Sequence, residues 1–381
     1  MEQINIVILA EETQYRVKAK HKINSENMAI VGYADFQEES KLKIEGYFPD
    51  VVIAAIDSSK IDENFYSFIQ AVQFQNTGCS VVLLTDSVDV DLINNAAMLG
   101  IRQVFDFDVD EQTFSKAITS VNELERQRMN LLNIEKRVRA KVIGFWGVKG
   151  GVGTTTLVAN TAISLASKGK KVIVLDYDLQ YGDLNLQLNV EPKDTIVVLA
   201  RDDEGTTIER INATVVMHPA GFSVLCAPKA PEYAEYVTPE HTKKIIENVR
   251  PYFEYILIDL GTNYADTTLI AMENCDEIQL VTNLNIPCLK GVKCAMNILD
   301  TLRINDKAEL VITKNRAGLL KVKDFENLMQ KRAYATIIAD SKVCNNALNS
   351  GLPCVTSAPR SQATRDFTKY CDKIIAEKSK I

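Results

Sequence analysis

Short apolar runs alternate with amphipathic stretches along the first part of the chain. The runs at residues 4–10, 51–56 and 80–85 are continuous enough to predict buried parallel strands, and residues 103–107 predict a further strand. Helical patterns lie between these runs. The βα alternation therefore predicts a doubly wound α/β domain over residues 1–120.

The same alternation resumes at Lys141. Residues 142–146 predict a strand, which is followed by a glycine-rich turn and a helix from about residue 155 to residue 168. Further strands, each followed by a helical pattern, are predicted at residues 172–175, 255–258, 277–282 and 310–313. We therefore expect a second doubly wound α/β domain over residues 141–381, with a mainly parallel sheet.

The segment between the two domains reads as one long helix, because residues 111–139 contain no Gly or Pro. Its apolar residues follow a seven-residue pattern that Arg128 and Glu135 interrupt. The members of the pattern are Phe114, Ala117, Val121, Leu124, Leu131 and Val138. The pattern predicts either a last helix of the first domain that runs on as a connector over residues 121–140, or a helix that pairs two chains.

Composition narrows the class of protein. Hydrophobic residues make up 46% of the 381 positions and charged residues 24%, which is typical of a globular protein. No apolar run reaches the roughly 20 residues that cross a bilayer, and the start lacks a signal-peptide pattern. The eight cysteines form no CxxC pair, so we expect reduced thiols and a cytoplasmic location.

Charge is distributed unevenly along the chain, whose formal net charge is −7. The first 120 residues contain 19 Asp and Glu against 9 Lys and Arg. An acidic front half disfavours nucleic acid as a partner of the whole chain. A local basic patch stays open, since residues 126–141 are rich in Lys and Arg.

A glycine-rich segment lies between the predicted strand at residues 142–146 and the helix after it. It reads Lys149-Gly150-Gly151-Val152-Gly153-Thr154-Thr155-Thr156. Glycines at such a turn let the backbone N–H groups point at an anion, and the helix that follows adds its positive N-terminal end. A Thr at the start of that helix can offer a hydroxyl to Mg²⁺. The segment therefore predicts a phosphate-binding loop for a nucleotide.

The loop departs from the usual GxxxxGK[ST] pattern at two positions. Val148 replaces the first glycine, and Thr154 replaces the lysine that reaches the β- and γ-phosphates. With Lys149 near its start, the loop resembles the deviant phosphate loop, KGGxGK[ST], of the ParA/MinD ATPases. The resemblance implies ATP and Mg²⁺ as cofactors, Thr155 as a Mg²⁺ ligand, and Lys149 as a catalytic residue that reaches the phosphates of the partner in an ATP-sandwiched homodimer.

Two acidic strand ends resemble further motifs of the same family. The strand at residues 172–175 ends in Asp176-Tyr177-Asp178, and the strand at residues 255–258 ends in Asp259. By this resemblance Asp178 orients the attacking water, while Asp176 and Asp259 lie near the metal, Asp259 through water. Acids cap many strand ends in α/β proteins, and the order and spacing after a phosphate loop favour the functional interpretation.

The end of the strand at residues 310–313 resembles the segment of the family that recognises adenine. Asn315 is implied as the base contact, with Arg316 beside it. The later segment around Ala339 and residues 347–353 resembles the family pattern IPxD…AxNxGxP, with Ala339 in place of the Pro. The resemblance covers about residues 141–367.

Within the family, residues 176–184, 218–228 and 234–237 resemble the TadZ/CpaE branch. That branch often lacks the in-subunit lysine and has a receiver-like domain in front. Its members localise and help to assemble the machine that builds Flp (type IVb, tight-adherence) pili. The resemblance implies an assembly factor with weak or slow hydrolysis. Its partners would be pilus-secretion proteins, bound through the N-terminal domain at a cell pole or at the inner face of the membrane.

The front domain resembles a flavodoxin-like receiver in Glu11-Glu12 and in Thr85. The phosphorylatable Asp of a receiver is expected six residues after Pro49, where Ala55 stands, and the usual Lys is replaced by Phe107. Without that Asp and Lys we expect no aspartyl-phosphate chemistry. Residues 1–120 are therefore interpreted as a pseudo-receiver that binds a partner.

Two other functions stay open. A ParA/MinD-type ATPase that cycles in DNA partitioning or cell positioning fits the basic segment 126–141, but Thr154 and the acidic front half oppose it. A phospho-regulated transcription factor is disfavoured by Ala55. The last helix has an apolar stripe at Phe367, Tyr370, Cys371, Ile374 and Ile375, as a membrane-binding helix would. Its basic face is thin, so we expect it to pack against the domain core.

Overall fold

The computed structural model describes residues 3–25, 27–132, 140–201, 206–316, 318 and 320–378, apart from the side chain at position 42. The chain divides into two compact units, Met1–Arg139 and Ala140–Ile381. Each unit is an α/β fold built on a parallel sheet.

The first unit has a five-stranded sheet with helices between the strands. Its strands are β1 (Ile4–Leu9), β2 (Met28–Ala34), β3 (Val51–Ala55), β4 (Ser80–Thr85) and β5 (Gln103–Asp106). Its helices are α1 (Thr13–His21), α2 (Glu38–Gly46), α3 (Glu63–Gln75), α4 (Val90–Met98) and α5 (Glu111–Leu131). The sheet order is β2-β1-β3-β4-β5, and every pair is parallel. This is the flavodoxin-like order of doubly wound sheets.

Strand β2 is the one strand of this sheet that the apolar pattern did not predict. It lies at the edge of the sheet and most of its side chains are half-buried, so it lacks a continuous apolar run. Gly32 breaks the run further. A Cβ there would lie 2.3 Å from the ring of Tyr47, so the ring occupies the space that a side chain would need.

The seven-residue pattern in helix α5 is divided between two environments. Phe114 and Val121 are fully buried within the first unit, together with Ile118 and Met129, at the three- and four-residue spacing of one helix face. Leu124 and Leu131 are exposed. Val138 lies outside the described residues. The described part of the stripe is therefore split between the core of this unit and solvent.

The second unit has an eight-stranded sheet. Its strands are β6 (Lys141–Gly147), β7 (Val172–Asp176), β8 (Val216–His218), β9 (Phe222–Leu225), β10 (Tyr255–Asp259), β11 (Glu277–Thr282), β12 (Ala308–Asn315) and β13 (Ala333–Ile338). The order is β13-β12-β11-β6-β10-β7-β9-β8, and only the edge pair β8–β9 is antiparallel among the described strands. Strand β6 lies in the middle, so the loop that follows it has neighbouring strand ends on both sides.

The helices of the second unit lie between its strands in the chain or follow the last strand. They are α6 (Thr154–Ala166), α7 (Leu184–Gln187), α8 (Ile196–Arg201), α9 (Ile208–Thr214), α10 (Pro239–Val249), α11 (Asp266–Glu273), α12 (Ile286–Thr301), α13 (Val322–Met329), α14 (Ser341–Ser350), α15 (Cys354–Ser357) and α16 (Gln362–Lys378). Helix α6 is the most enclosed, with ten of its thirteen residues buried. Its first turn is thereby fixed against the end of β6.

The last helix, α16, packs on the core of the second unit. Phe367, Tyr370, Cys371 and Ile374 are all buried there. The expectation that this apolar stripe packs internally is confirmed. Within the described residues, no helix has the length and hydropathy needed to cross a membrane.

Candidate nucleotide-binding site

The glycine-rich loop connects β6 to α6, at the carboxyl edge of the parallel sheet. Gly153 is the N-cap of α6 and has a φ of 98°. This left-handed conformation favours glycine, since other side chains are strained there. The first N–H groups of α6 have no partner within the helix and carry the positive end of its dipole. The loop therefore presents an anion-binding helix terminus beside the strand ends.

The three threonines that follow differ in their surroundings. Thr154 is buried, and Thr155 is half-buried beside Asp259, where its side chain lowers the pKa of that carboxyl. The Thr156 hydroxyl donates to Oε1 of Gln187 at 3.2 Å. Thr155 is thus the hydroxyl that faces an acid at the strand ends, as a Mg²⁺ ligand would. Thr156 instead connects α6 to α7.

Two carboxylates lie side by side at the ends of β7 and β10. Asp176 and Asp259 are register partners in these adjoining parallel strands, and each is 1% exposed. Burial raises the pKa of Asp259 to about 7, and the Thr155 side chain and the Gly261 N–H act in the opposite direction. Burial also raises the pKa of Asp176 well above its usual range, and the neighbouring carboxylates of Asp259 and Asp178 raise it further.

A third carboxylate, Asp178, follows two residues after the end of β7. It is half-buried, and burial raises its pKa. Gly261, which follows β10, approaches it so closely that a Cβ would lie 2.7 Å from the Asp178 Cγ. The β7 and β10 loops therefore hold all three acids at one place beside the phosphate loop.

None of these three carboxylates makes an ion pair within the part of the chain that the structure describes. Oδ2 of Asp259 is buried and has no hydrogen-bond partner among the residues that the structure describes. The described residues contain no group of three or more His, Cys, Asp or Glu that could hold a metal ion. The arrangement is a buried cluster of carboxyl groups that fits a cation whose remaining ligands come from a hydroxyl, water or phosphate.

The deviant-loop residue Lys149 is exposed, next to the exposed Gly150. Its ammonium makes no ion pair or hydrogen bond with the described residues. Val152 is buried, and its carbonyl accepts a hydrogen bond from the Thr313 hydroxyl. The loop is thus fastened at Val152 from the β12 side, while the Lys149 side chain is available to another molecule.

A groove of about 430 Å³ lies on the β12 side of the unit. Its described lining residues are Leu284, Asn315, Arg316, Gly318, Leu320, Lys321, Val322 and Ile338. Asn315 and Arg316, the two predicted base contacts, both line it, and the Asn315 carbonyl accepts from the Ala339 N–H at 2.8 Å. The structure therefore brings these residues to a concave surface that could take a base. Their contact with adenine stays a prediction.

One contact to the loop was missed by sequence reasoning. Nζ of Lys314, at the end of β12, donates to the carbonyl of Gly151 at 2.5 Å. The two residues are 163 positions apart in the chain, and no spacing rule links them. A lysine beside the expected base contact is the only signal that the sequence offered.

The first unit also collects acids at the carboxyl edge of its sheet, but each has a partner. Lys60 Nζ lies 2.8 Å from Glu12 and 3.8 Å from Glu11. Asp57 accepts hydrogen bonds from the Tyr15 hydroxyl at 3.1 Å and from the Ser59 N–H at 3.0 Å. These contacts lower the pKa values of Glu12 and Asp57, chiefly through Lys60 and Ser59 respectively.

Known proteins are similar to this chain over the unit that contains the site. The family model of an AAA domain matches residues 140–312. An uncharacterised ATP-binding protein of Methanocaldococcus jannaschii is 28% identical over 237 residues, covering 60% of this chain and 86% of the relative. The septum site-determining protein MinD of Thermotoga maritima is 26% identical over 244 residues, again covering 60% of this chain and 86% of the relative.

A solved structure has the same fold. The MinD protein of Pyrococcus horikoshii, complexed with Mg-ADP, matches with a TM-score of 0.55 and 24% identity, covering 62% of this chain and 96% of its own. The matched family begins at residue 140, where the second compact unit begins. These findings show that the second unit has the α/β fold of these proteins, and they leave the role of the first unit open.

Proposed function

We propose that this chain, with its P-loop ATPase domain of the ParA/MinD kind, uses ATP and Mg²⁺ as an assembly switch. The observation that carries the proposal is the cluster of Asp176, Asp178 and Asp259. Two of these acids are buried, none has a cationic partner among the described residues, and all lie beside a glycine-rich loop. Such a cluster is costly to keep charged unless a cation arrives with the ligand.

The residues present fit a Mg²⁺ ion bound together with the nucleotide phosphates. The Thr155 hydroxyl would be a direct ligand, while Asp259 would act through water and Asp176 would lie near the metal. The unpartnered Oδ2 of Asp259 supports this assignment. Bound Mg²⁺ would neutralise charge on the β- and γ-phosphate oxygens. The loop N–H groups and the N-terminus of α6 would bind the phosphates themselves.

Hydrolysis is proposed to be slow. Asp178 would orient the attacking water, as a half-buried carboxylate beside the two inner acids can. Thr154 offers no positive charge where P-loop proteins usually have a lysine. Loss of one such donor to the transition state typically costs on the order of 10²–10³ in rate. ATP binding, which rests on backbone N–H groups, would persist.

The switch is proposed to act through a homodimer. Lys149 is exposed and without a described partner, so its ammonium could reach the phosphates held by a second copy of the chain. ATP would then join two chains by lying between them. The first unit, with its own core and a carboxyl edge that is internally neutralised, would serve as a recruiting surface.

The destination that we propose is the machine that builds Flp (type IVb, tight-adherence) pili. This step rests on the resemblance of residues 176–184, 218–228 and 234–237 to the TadZ/CpaE branch. The protein would work in the cytoplasm and would reach a cell pole or the inner face of the membrane through pilus-secretion partners. Loss of surface pili on deletion of the gene, restored by the full chain but not by a chain without the first unit, would support this role.

A second function is favoured by the similarity to MinD of Thermotoga maritima. In this alternative the protein is a ParA/MinD-type ATPase that cycles rapidly and positions a cell structure or DNA. Turnover separates the two functions, because a cycling ATPase needs repeated hydrolysis whereas an assembly switch needs only bound ATP.

The test combines two measurements on the full chain with and without ATP–Mg²⁺. Sedimentation velocity reports association, and phosphate release reports turnover. ATP-dependent dimerisation with turnover far below ordinary enzyme rates, about 1–10³ s⁻¹, supports the switch. Lys149→Ala should then weaken ATP-driven association and leave ATP binding nearly unchanged. Turnover in the ordinary range would favour the cycling ATPase, and absence of ATP binding would refute both.

A further inference from the structure

Lys314 has an unusual backbone at the end of β12. Its φ is 49°, in the left-handed region that residues other than glycine seldom adopt. The pairing of β12 with β13 shifts register between Ile312 and Asn315, so Lys314 lies within a bulge. Bulges re-aim side chains next to functional sites. A strained residue in a bulge therefore raises the question of what its side chain reaches.

The Lys314 side chain contacts the glycine-rich loop after β6. Nζ donates to the Gly151 carbonyl at 2.5 Å, and Cε lies 3.9 Å from the position that a Cβ on Gly153 would take. The preceding residue, Thr313, donates its hydroxyl to the carbonyl of Val152. The bulge therefore places an ammonium group against the same loop that lacks a lysine at Thr154.

The charge of Lys314 is not used within the described unit. Lys314 makes no ion pair with the described residues, and its ammonium has three donors, of which the Gly151 carbonyl takes one. A carbonyl needs a donor but not a full charge, and many neutral side chains could serve it. An ammonium held here by a strained backbone is better matched to an anion in the loop.

We infer that Lys314 is a phosphate-binding residue that supplies, from the end of β12, the in-subunit positive charge that Thr154 does not. This inference rests on the proposed binding of ATP in the loop. In a usual P-loop the lysine at that position reaches the β- and γ-phosphates. Lysine suits the role because its ammonium is a compact point charge on a flexible stem.

A purely structural role is the competing account. In that case Lys314 fastens the loop through the Gly151 carbonyl, and its charge is incidental. The two accounts differ in salt dependence, because an ammonium–phosphate contact weakens with ionic strength and a contact to a carbonyl does so much less. They also differ in whether a lysine placed elsewhere in the loop can substitute for Lys314.

The first experiment measures ATP–Mg²⁺ affinity of the full chain by calorimetry at low and high salt. Lys314→Asn removes the charge and tolerates the left-handed backbone, and Lys314→Arg keeps the charge. Lys243→Asn, on an exposed position of α10, is the matched control. We expect Lys314→Asn to weaken ATP binding about tenfold and to reduce its salt dependence. The ATP affinity of Lys314→Arg should stay within about threefold of that of the unchanged chain. The ATP affinity of Lys243→Asn should equal that of the unchanged chain.

The second experiment repeats Lys314→Asn in a chain that carries Thr154→Lys, which restores the usual loop lysine. If the lysines at positions 154 and 314 both bind the phosphates, Lys314→Asn should weaken ATP binding only about twofold in the Thr154→Lys chain, instead of about tenfold. A double-mutant cycle measures this coupling directly. Thermal melting checks that Thr154→Lys folds. If it does not, the comparison of Asn and Arg at position 314 still decides.

Three results would overturn the inference: unchanged affinity in Lys314→Asn, equal losses in the Asn and Arg variants, or an equal loss in both backgrounds at position 154. The last two would make Lys314 a structural brace of the loop. If the unchanged chain does not bind ATP–Mg²⁺, the proposed function itself fails, and this inference fails with it. Binding by the unchanged chain with no effect of Lys314→Asn refutes this inference alone.

Discussion

Both units of this protein gather carboxylates at the carboxyl edge of a parallel sheet, but the two edges differ in how the negative charge is balanced. In the first unit Lys60 lies against Glu11 and Glu12, and Ser59 and Tyr15 bond Asp57. In the second unit Asp176 and Asp259 are buried, with no cation from the described residues beside them.

The carboxylates at the first edge have hydrogen-bond and ion-pair partners within the unit, whereas those at the second edge would need a ligand to balance their charge. Carboxylates that accept hydrogen bonds from nearby donors have lowered pKa values, as in Glu12 and Asp57. Buried carboxylates that face one another have raised pKa values, as in Asp176 and Asp259. Strongly raised pKa values in a group of acids next to an anion-binding helix terminus indicate a functional site. The same fold thus holds one edge that is complete and one that a metal and a nucleotide would complete.

The largest expected effect of a single change at the second edge is on turnover. Asp178→Ala should lower single-turnover phosphate release by at least about 10²-fold, because positioned acid–base groups typically contribute 10²–10⁴. ATP affinity should change by less than about threefold, since Asp178 is not proposed to touch the phosphates. Asp57→Ala, the matched change at the first edge, should leave both quantities unchanged. Equal losses of binding and turnover in Asp178→Ala would show that its role is misassigned.

The next effect concerns the metal. Thr155→Ala removes the hydroxyl that faces Asp259, and we expect it to weaken Mg²⁺-dependent ATP binding by about tenfold, the loss of one charge-assisted contact. Binding measured in EDTA should hardly change. Thr85→Ala is the control at the first edge, where the hydroxyl only bonds Asp86. If Thr155→Ala binds ATP–Mg²⁺ normally, the metal is not held as proposed.

These two residues show what the sequence could and could not reveal. Thr155 and Asp178 could be predicted as site residues because a glycine-rich loop and a DxD strand end are local patterns. Lys314 was missed because its contact with Gly151 joins strand and loop across 163 positions. Contacts of that kind depend on the order of the strands in the sheet, and that order cannot be predicted from a short segment of the sequence.

The fold shows the same division. Central strands such as β3, β4 and β10 appear as continuous apolar runs because helices cover both faces. The apolar pattern did not predict the edge strands β2, β8 and β13, which have half-exposed residues, or the four-residue buried strand β9, although it did predict the edge strand β5. The seven-residue pattern in α5 does not by itself distinguish a helix of the domain core from a helix that pairs two chains. A seven-residue repeat is two turns of any helix, so residues of an ordinary core face also satisfy it.

A third prediction uses the pH dependence of the two edges. The folded pKa of Asp259 is raised to about 7, above its value in the unfolded chain, so the folded state binds an extra proton between about pH 4 and pH 7. The contribution of Asp259 to the free energy of unfolding of the nucleotide-free protein should therefore fall as pH rises through that window. The effect is a few kcal/mol at most, or several degrees in melting temperature.

The lowered pKa values of Glu12 and Asp57 act in the opposite direction. Their contribution is present at neutral pH and is lost as pH falls below the ordinary carboxylate range. Thermal melts between pH 4 and pH 8, with the unchanged chain and Asp259→Asn, measure the first effect. Asp259→Asn should flatten the slope, and saturating ATP–Mg²⁺ should do the same. A slope that Asp259→Asn leaves intact would assign it to other groups.

The smallest expected effect is at the first edge, which should not react with acyl phosphates at all. A receiver needs a free carboxylate at the strand end, and there β3 ends in Ala55. The nearest acid, Asp57, lies two residues further on and has both oxygens engaged, one by the Tyr15 hydroxyl and one by Ser59. Phe107 stands where a receiver has its lysine and stacks on Tyr15 at 5.2 Å.

Incubation of the full chain with acetyl phosphate and Mg²⁺, followed by intact-mass measurement, should therefore show no added phosphate. The matched chain carries Ala55→Asp, which restores a carboxylate at the strand end while Phe107 still denies it the lysine. Because that lysine is missing, we expect at most a trace of product even there. An added phosphate on the unchanged chain that disappears in Asp57→Ala would contradict the comparison, because the first edge would then be reactive and not merely balanced. Lack of product on the unchanged chain would agree with a first edge that does not react with acyl phosphates.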